Sequence, residues 1–493
     1  MLFLSDGSLA IVLTLVTSVV FVAVAYLYSA RRRQSVDDYV VARGSVGGML
    51  ATATLVASAM GAWILFSPAE TGTWAGLVGL IGYSLGSAAP IAAFVILGAR
   101  MRRLMPEGRS LTDFVWTRYG PMTYLASVAV IVFYMFIFLA AEMTGIALAA
   151  RLIGDTPLWV TALIVGAMTV AYTAYGGLRA SVITDGVQFM LIIPLLGAVL
   201  IALLFLLDGF GPAISSVGEQ AGHLLSLGHG PGIEFAFTLF IAVWAANMFH
   251  QGFWQRVYTV RDERSLRRGF AAAAAVVIPM VMLAGLLGIV AVGHGSADEP
   301  SVALFSLVLD VMPRWAWAVV LVAGLMLVMS SMDTLLNGIA SAVTSDLARF
   351  RPSWSGSRLL GSSRLITLAV VVPAIAIASQ GYSVLYLFLI ADLICAAAVV
   401  PVFYGLYNRR LSDGAVAAAF VAGVVVGVLF FPASDFSAWN SIPWSGKTLV
   451  SFATALGAST VVALVGAHLL GSPRKESEFD FGLLAARVRA ITD

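Results

Sequence analysis

The stretch WAWAVVLVAGLMLVMSSMDTLLNGIASAVTS, residues 315–345, decides the fold of this chain. It contains a single charged side chain, Asp333. A helix of about 20 apolar residues crosses the roughly 30 Å hydrocarbon core of a bilayer. The stretch is therefore predicted to be a membrane-spanning helix that carries a charge in its interior.

Similar apolar runs occur along the whole chain, and thirteen spans are predicted. Of all residues, 60% are hydrophobic and 11% are charged, whereas soluble domains carry about 25% charged residues. The predicted fold class is an all-α polytopic membrane protein with about 13 transmembrane helices. Their approximate edges are 8–30, 48–75, 77–99, 121–150, 157–175, 183–207, 235–258, 269–293, 315–345, 362–379, 382–407, 414–431 and 447–470.

Basic residues are concentrated in alternate gaps between these runs. Only Arg151, Arg314 and Lys447 fall in the other gaps, while the remaining 25 of the 28 Lys and Arg residues share one side. By the positive-inside rule that side is cytoplasmic. We therefore expect a multi-pass protein of the cell (inner) membrane, with its N-terminus outside and its C-terminus in the cytoplasm. No nucleic-acid-binding motif accompanies the basic residues, so no nucleic-acid partner is expected.

Several other classes of protein are disfavoured. Cys395 is the single cysteine, so no disulfide within one chain is expected. The basic cluster follows the first apolar run, which disfavours a cleaved signal peptide. The gaps and the tail after Leu470 are too short for an enzyme module. No phosphate-binding GxxxxGK[ST] loop occurs, and the histidines show no HExxH spacing. The activity is expected inside the helix bundle.

Five acidic residues lie within the apolar runs, where ionisable groups are costly and are functional candidates by default. They are Glu70, Glu142, Asp185, Asp333 and Asp392. Each also has a purely structural interpretation. Glu70 can be solvated at the external end of its span, and Asp185 can be an N-cap for a helix starting at Gly186. Glu142, Asp333 and Asp392 can accept hydrogen bonds across a helix pair.

Hydroxyl and carboxylate groups cluster on one face of the ninth run. Ser330, Asp333 and Thr334 are three and four residues apart, so they share a helix face. This face offers several oxygen ligands to a hard cation such as sodium. The alternative is that the hydroxyl groups bond back to their own helix.

Two runs contain small or polar residues where a helix is expected to break. Residues 52–62, TATLVASAMGA, interrupt the second run, and Asn247, His250, Gln251 and Gly252 interrupt the seventh. Broken membrane helices expose backbone carbonyls to an ion and an N-terminus to a solute. Close helix packing by small residues is the alternative explanation.

Three motifs resemble the sodium:solute symporter family, whose members include sodium-coupled proline, sugar, sialic-acid and urea-type transporters. The first, YTAYGGLRASVITDGVQ at residues 172–188, is similar to the family's aromatic-x-x-Tyr-Gly-Gly-Leu…Thr-Asp-x-x-Gln signature. The second is Ser330-Ser331 followed by TSDL at 344–347. The third is QGFWQR at 251–256, which resembles a Gln-x-x-x-x-Arg ending.

This resemblance implies a leucine-transporter-type inverted repeat with a 5+5 core. The first repeat would cover 48–207 and the second 235–407. Residues 8–30 would form an extra N-terminal helix, 414–470 two extra C-terminal helices and 471–493 a cytoplasmic tail, all within one transporter domain at 1–493.

The resemblance also implies a sodium site between the second and ninth spans. Its ligands would be the backbone carbonyls of Ala57, Met60 and Leu327 and the hydroxyl groups of Ser330 and Ser331. Some family members have a second site, which corresponds here to Asp185, Asp333 and Thr334. Asp333 stands where those members have a serine, so a second sodium, a bound proton and a permanent charge all stay open.

The solute is expected beside the two breaks. The candidate residues there are Trp63, Phe66, Ser67, Glu70, Tyr134, Glu142, Trp244, Asn247, His250 and Gln251. Acidic residues outnumber basic ones among them, which favours a neutral amide-like or cationic nitrogenous solute over an anion.

The predicted function is sodium-coupled symport of a small polar, nitrogenous solute by alternating access, without enzymatic activity and without an organic cofactor. The partners would be the solute, sodium and the lipid bilayer, and the oligomeric state stays open. A proton-coupled transporter of the same fold is the alternative, motivated by Asp333, Asp392 and Glu142. A symporter-like membrane sensor is a candidate from a different class.

Overall fold

The computed structural model describes residues 5–29, 42–351, 353–468 and 478–488, and the chain there is almost entirely helical. The α-helices are α1 (Asp6–Ser29), α2 (Gly48–Ala59), α3 (Trp63–Leu104), α4 (Leu111–Arg118), α5 (Pro121–Gly154), α6 (Leu158–Leu206), α7 (Phe210–Ala221), α8 (Gly230–Met248), α9 (Gln251–Thr259), α10 (Glu263–His294), α11 (Ala303–Val311), α12 (Arg314–Phe350), α13 (Gly356–Ala378), α14 (Val384–Tyr404), α15 (Asp413–Phe430), α16 (Thr448–His468) and α17 (Gly482–Arg487). Short 3-10 helices occupy Gly222–Leu225 and Pro300–Val302.

Ten helices in the described ranges are long and apolar enough to cross a bilayer. The number becomes eleven if the bent pair Gly197–Leu206 and Gly211–Leu225 forms one span. The prediction of a polytopic helical membrane protein is confirmed, whereas the number thirteen stays a prediction. The difference arises partly because α3 and α6 each contain segments that the sequence assigns to two spans.

Gly76 separates the two segments of α3. Its φ of +63° and ψ of −161° depart from the helical conformation. A Cβ added to Gly76 would lie 2.3 Å from the carbonyl oxygen of Leu224. A straight helix of 42 residues would be about 63 Å long, twice the hydrocarbon thickness. The turn at Gly76 therefore divides α3 into two helical segments.

Helix α12 lies at the centre of the bundle. In its most apolar window 89% of the residues are buried, compared with 28% in α1 and 22% in each of α13 and α15. It packs against α5, α6 and α13, and also contacts α2 and α9. Asp333 therefore lies on a helix that other helices surround, where an intramembrane charge can find polar partners.

Both predicted helix interruptions occur. Residues Met60–Ala62 separate α2 from α3, and Phe249–His250 separate α8 from α9. Both lie against α12. A Cβ added to Gly61 would be 3.2 Å from Ser331, and one added to Gly252 would be 2.6 Å from Thr334. The two breaks thus contact the central helix within one turn of each other.

Candidate ion and solute sites

Glu142 of α5 holds the first helix break in place. Its carboxylate accepts hydrogen bonds from the backbone N–H groups of Ala62 and Trp63, each at 3.1 Å. It also accepts one from the hydroxyl group of Ser331 at 2.9 Å. The first N–H groups of a helix have no partner within the helix, and the N-terminus favours negative charge. Glu142 therefore caps α3 and ties its start to α12.

Gly61 allows this close approach. A side chain at this position would place its Cβ 2.6 Å from the ring of Trp63 and 2.7 Å from a carboxylate oxygen of Glu142. Those distances are well inside van der Waals contact. Within the 52–62 stretch, the small size of Gly61 is therefore required by the helix break.

The residues predicted to bind sodium are all buried. Ser331 donates to the carbonyl oxygen of Leu327 at 2.9 Å as well as to Glu142. Ser330 donates to Asp185 at 2.8 Å. The carbonyl oxygen of Ala57 accepts from the N–H group of Met60 at 3.2 Å, at the end of α2. The structure thus brings the end of α2, the break and Ser331 together, with hard oxygen atoms of the type that sodium needs.

The predicted second cation site contains a basic side chain. Arg256 of α9 donates to Asp185 at 2.8 Å and to the hydroxyl group of Thr334 at 3.1 Å. Thr54 of α2 also donates to Asp185, at 3.1 Å. Asp185 lies within α6, far from either end, so the N-cap interpretation is wrong. Four helices converge on this carboxylate.

Asp333 faces a different set of partners. Its Oδ1 accepts from Thr173 at 2.8 Å and from Asn337 at 2.7 Å. Its buried Oδ2 has no hydrogen-bond partner among the described residues. Of the predicted trio, Asp185 and Thr334 share the guanidinium of Arg256, while Asp333 keeps one acceptor oxygen unused.

The 172–188 signature packs onto α12. Tyr172 donates to the carbonyl oxygen of Met329 at 2.7 Å, and Gln188 donates to that of Met326 at 3.1 Å. Together with Thr173 and Asp185, these contacts follow α12 from residue 326 to residue 333. The signature therefore fixes the position of α6 against the helix that carries the predicted sodium ligands.

A cavity opens beside the first break. Its empty space, including its open side, is about 440 Å³. The residues around it come from α3, α5, α8 and α14, and those on α8 and on α14 each recur at helical spacing. The lining residues are Trp63, Tyr83, Tyr134, Phe138, Leu239, Val243, Ala246, Asn247, Leu385, Phe388, Leu389 and Asp392.

Three of the predicted solute residues line this cavity, namely Trp63, Tyr134 and Asn247. His250 lies behind its wall, with its ring 6.1 Å from that of Tyr134 and 4.7 Å from that of Phe253. The structure does not place the other candidates in the cavity lining. These are Phe66, Ser67, Glu70, Glu142, Trp244 and Gln251.

Two of these outlying candidates have other partners. Glu70 is buried and accepts from Ser301 at 2.9 Å and Ser383 at 2.7 Å, so its solvated interpretation is wrong. Gln251 exchanges hydrogen bonds with the backbone of Arg109 and Leu111, each at 3.3 Å. Glu70 joins α3 to the start of α14, and Gln251 joins the start of α9 to the start of α4.

The sequence did not identify several residues of these sites. In sequence Arg256 is only the last residue of the QGFWQR motif, and the fold is needed to show that it is a buried cation. Tyr83, Phe138 and Phe388 resemble ordinary packing aromatics in sequence. Asp392 is an intramembrane acid in the sequence, and the spacing of Leu385, Phe388 and Asp392 indicates that the three share one helix face.

The chain is similar in sequence to known proteins along most of its length. The profile of the sodium:solute symporter family matches residues 39–423. The spermidine transporter DUR31 of Candida albicans is 31% identical over 82% of this chain and 75% of its own length. The sodium/proline symporter of Escherichia coli is 27% identical over 84% of this chain and 85% of its own.

The structural likeness extends over the whole bundle. A Na⁺-coupled sialic acid symporter in a substrate-bound, outward-open state superimposes with a TM-score of 0.75, at 16% identity, over 94% of this chain and 97% of that one. This likeness supports the leucine-transporter type of fold. The 5+5 repeat and its boundaries stay predictions.

Proposed function

The chain belongs to the sodium:solute symporter family, and we propose that it imports a small polar, nitrogenous solute together with sodium by alternating access. The family and its relatives are secondary transporters, not enzymes, and they support sodium as the coupling ion. The spermidine and proline transporters among these relatives support a nitrogenous solute.

The observation that carries the proposal is the link between the first helix break and Ser331. Glu142 bonds both the start of α3 and the hydroxyl group of Ser331. A sodium ion bound by the carbonyl groups of Ala57, Met60 and Leu327 and the hydroxyl groups of Ser330 and Ser331 would join α2 to α12. Trp63, whose N–H group Glu142 holds, also lines the cavity. In this proposal, ion binding and solute binding both act on the start of α3, next to the first helix break.

The transport cycle follows from this connection. Sodium entering from outside would hold α2 against α12 and favour the state that receives solute. Release of sodium into the cytoplasm, on the side assigned to the basic gaps, would free α2 and reset the carrier. A membrane potential of 100 mV adds about 2.3 kcal/mol for each sodium moved. In this scheme the repeats at 48–207 and 235–407 move relative to each other.

A second candidate function is proton-coupled transport by the same fold. The unused Oδ2 of buried Asp333 favours it, because a carboxylate with an unpaired oxygen can bind a proton. The second-site group, Asp185, Asp333 and Thr334, would then hold one proton beside the tethered charge of Arg256.

Uptake into proteoliposomes separates the two candidates. Radiolabelled spermidine and proline would be supplied with an inward gradient of sodium, or of protons with potassium replacing sodium. We expect uptake only with the sodium gradient, and expect an inside-negative potential to increase it. Uptake of either solute that responds to the proton gradient and ignores sodium would overturn the main proposal.

A test independent of the solute is the stability of the purified protein. A ligand that binds only the folded state raises stability by RT ln(1 + [L]/Kd). Sodium should therefore raise the unfolding temperature in a saturable manner, and potassium at the same ionic strength should not. Equal effects of the two ions would count against the sodium site.

A further inference from the structure

We propose that the cavity lined by Asp392 recognises the ammonium group of an aliphatic organic cation. This inference rests on the proposed function, because it names the class of solute that the symporter would carry. The cavity contains a carboxylate and has aromatic walls.

Asp392 supplies the negative charge. It lies eight residues after the start of α14, which is about 12 Å along the helix. Only 4% of its surface is exposed. No hydrogen bond and no ion pair reaches its carboxylate from the described residues. A buried carboxylate without a partner is costly, and a cationic ligand would remove that cost by pairing with it.

Aromatic rings form much of the wall around this carboxylate. They belong to Trp63, Tyr83, Tyr134, Phe138 and Phe388. The rings of Phe138 and Phe388 lie 4.8 Å apart, and those of Trp63 and Tyr83 lie 5.8 Å apart. Ring faces attract ammonium groups electrostatically, most strongly where water is excluded. The apolar side chains of the cavity, Leu239, Val243 and Leu389 among them, are suited to the methylene groups of an alkyl chain.

A solute carboxylate would find no comparable partner. No Lys or Arg is among the residues that line the cavity. The N-terminus of α3, which would otherwise attract an anion, already receives the carboxylate of Glu142. Two carboxylates of the protein therefore disfavour an anionic solute. Asp392 lies in the cavity wall, and Glu142 lies behind it at the start of α3.

Ligand-observed NMR titrations of the detergent-purified protein in sodium buffer at pH 7 test this inference. The probes are butylammonium, butanamide and butanoate, which share a four-carbon skeleton and differ in charge. We expect butylammonium to bind, and the neutral amide and the anion to bind at least about tenfold more weakly, as expected for the loss of a charge-assisted contact. Equal binding of butylammonium and butanamide would overturn the proposal.

Substitutions in the wall locate the site. Asp392→Asn should weaken butylammonium binding about tenfold or more, while raising the unfolding temperature without ligand, since it removes an unpaired buried charge. Phe138→Leu and Phe388→Leu should each weaken binding of the cation more than that of the amide. If Asp392→Asn does not fold, these two variants still decide the question. Unchanged cation binding in all folded variants would refute the assignment.

Matched controls distinguish the cavity from general effects. Glu299→Gln removes a partly exposed carboxylate that pairs with Arg151, and should leave cation binding unchanged. Phe94→Leu shortens a buried ring that packs on Phe253 and Phe270, outside the cavity. If either control loses cation binding, the effect comes from surface charge or from a general loosening of the fold. That result would contradict the assignment of the cation site to this cavity.

Failure of this inference differs from failure of the proposed function. If sodium-driven uptake of a neutral nitrogenous solute occurs and Asp392→Asn leaves it intact, the symporter stands and the ammonium site falls. If butylammonium binds through Asp392 without any sodium dependence of transport, the site stands and sodium coupling falls.

Discussion

Asp185 and Arg256 form an ion pair with 2.8 Å between Oδ2 and Nη2, and neither side chain has any exposed surface. The pair connects α6 to α9, and Arg256 also reaches Thr334 of α12. From the sequence a second sodium, a bound proton and a permanent charge are all open at the second site, and the fold places the guanidinium of Arg256 there. A tethered charge cannot be transported, so Arg256 is a fixed partner of Asp185 in this structure.

Breaking this pair should strongly destabilise the protein. Asp185→Asn leaves the guanidinium of Arg256 buried and unpaired, which costs about 3–5 kcal/mol. Adding Arg256→Gln removes the second charge, so the double variant should be more stable than Asp185→Asn alone. Thermal unfolding in detergent measures both. As a control, Arg410→Gln breaks a partly exposed pair with Glu478 and should cost less than about 1 kcal/mol. A double variant no more stable than Asp185→Asn would contradict this account.

Removing the predicted sodium hydroxyl groups should weaken sodium binding. Ser331→Ala, alone and with Ser330→Ala, should raise the sodium concentration for half-maximal uptake manyfold. Ser331 should have the larger effect, because Ser330 is already engaged by Asp185. Ser341→Ala, a buried hydroxyl on the same helix, serves as the control. Well-folded variants with unchanged sodium dependence would show that these residues are not the ligands.

Neutralising Glu142 should loosen the first helix break. Glu142→Gln replaces a charged acceptor at the N-terminus of α3 and should cost about 1–2 kcal/mol. It should also reduce uptake, since the start of α3 and Ser331 would no longer share one carboxylate. Thermal unfolding and initial uptake rates measure the two effects. Glu234→Gln, at a partly exposed acid paired with Lys447, should change neither. Normal uptake in Glu142→Gln would show that transport does not depend on the cap that Glu142 provides.

A single methyl group at Gly61 should impair the break. Gly61→Ala forces contacts of 2.6 Å with Trp63 and 2.7 Å with Glu142, and such overpacking costs about 1–3 kcal/mol. The matched control is Gly361→Ala, since nothing lies within 4 Å of a Cβ at that position in α13. There alanine should stabilise the helix by about 0.5–1 kcal/mol. Opposite changes in unfolding temperature are expected, and equal changes would argue against a close approach at Gly61.

Asp113 should contribute stability that depends on pH. Burial would raise the pKa of Asp113, but the guanidinium groups of Arg109 and Arg349 outweigh burial and hold this pKa below its usual value. Because the folded pKa is lower than the unfolded one, the contribution is fully present above about pH 4. It is lost as pH falls through the folded pKa. Unfolding temperatures of wild type and Asp113→Asn should therefore differ most above pH 5 and converge in acid. A constant difference down to pH 3 would contradict this sign.

The sequence alone determined the fold class and both helix breaks. Apolar runs and the positions of basic residues indicated a helical membrane protein, and small residues near Gly61 and Gly252 indicated the breaks. Those features are local, because every backbone group in lipid must be satisfied within its own helix. The motif at residues 172–188, which is similar to the family's signature, also indicated which part of α6 contributes to the candidate site. The number of spans depended on turns such as Gly76, whose conformation no hydropathy pattern reveals.

Only the tertiary structure decided the partners of the buried charges. Residues 71 positions apart pair at Asp185 and Arg256, and residues 189 positions apart meet at Glu142 and Ser331. Asp392 is recognisable as an intramembrane acid in the sequence, but four of the five aromatic rings around it come from two other helices, α3 and α5. The free energy of a charge in a low-dielectric interior depends mainly on the groups within a few ångströms of it. For Asp185, Glu142 and Asp392, helix packing brings those groups from other helices.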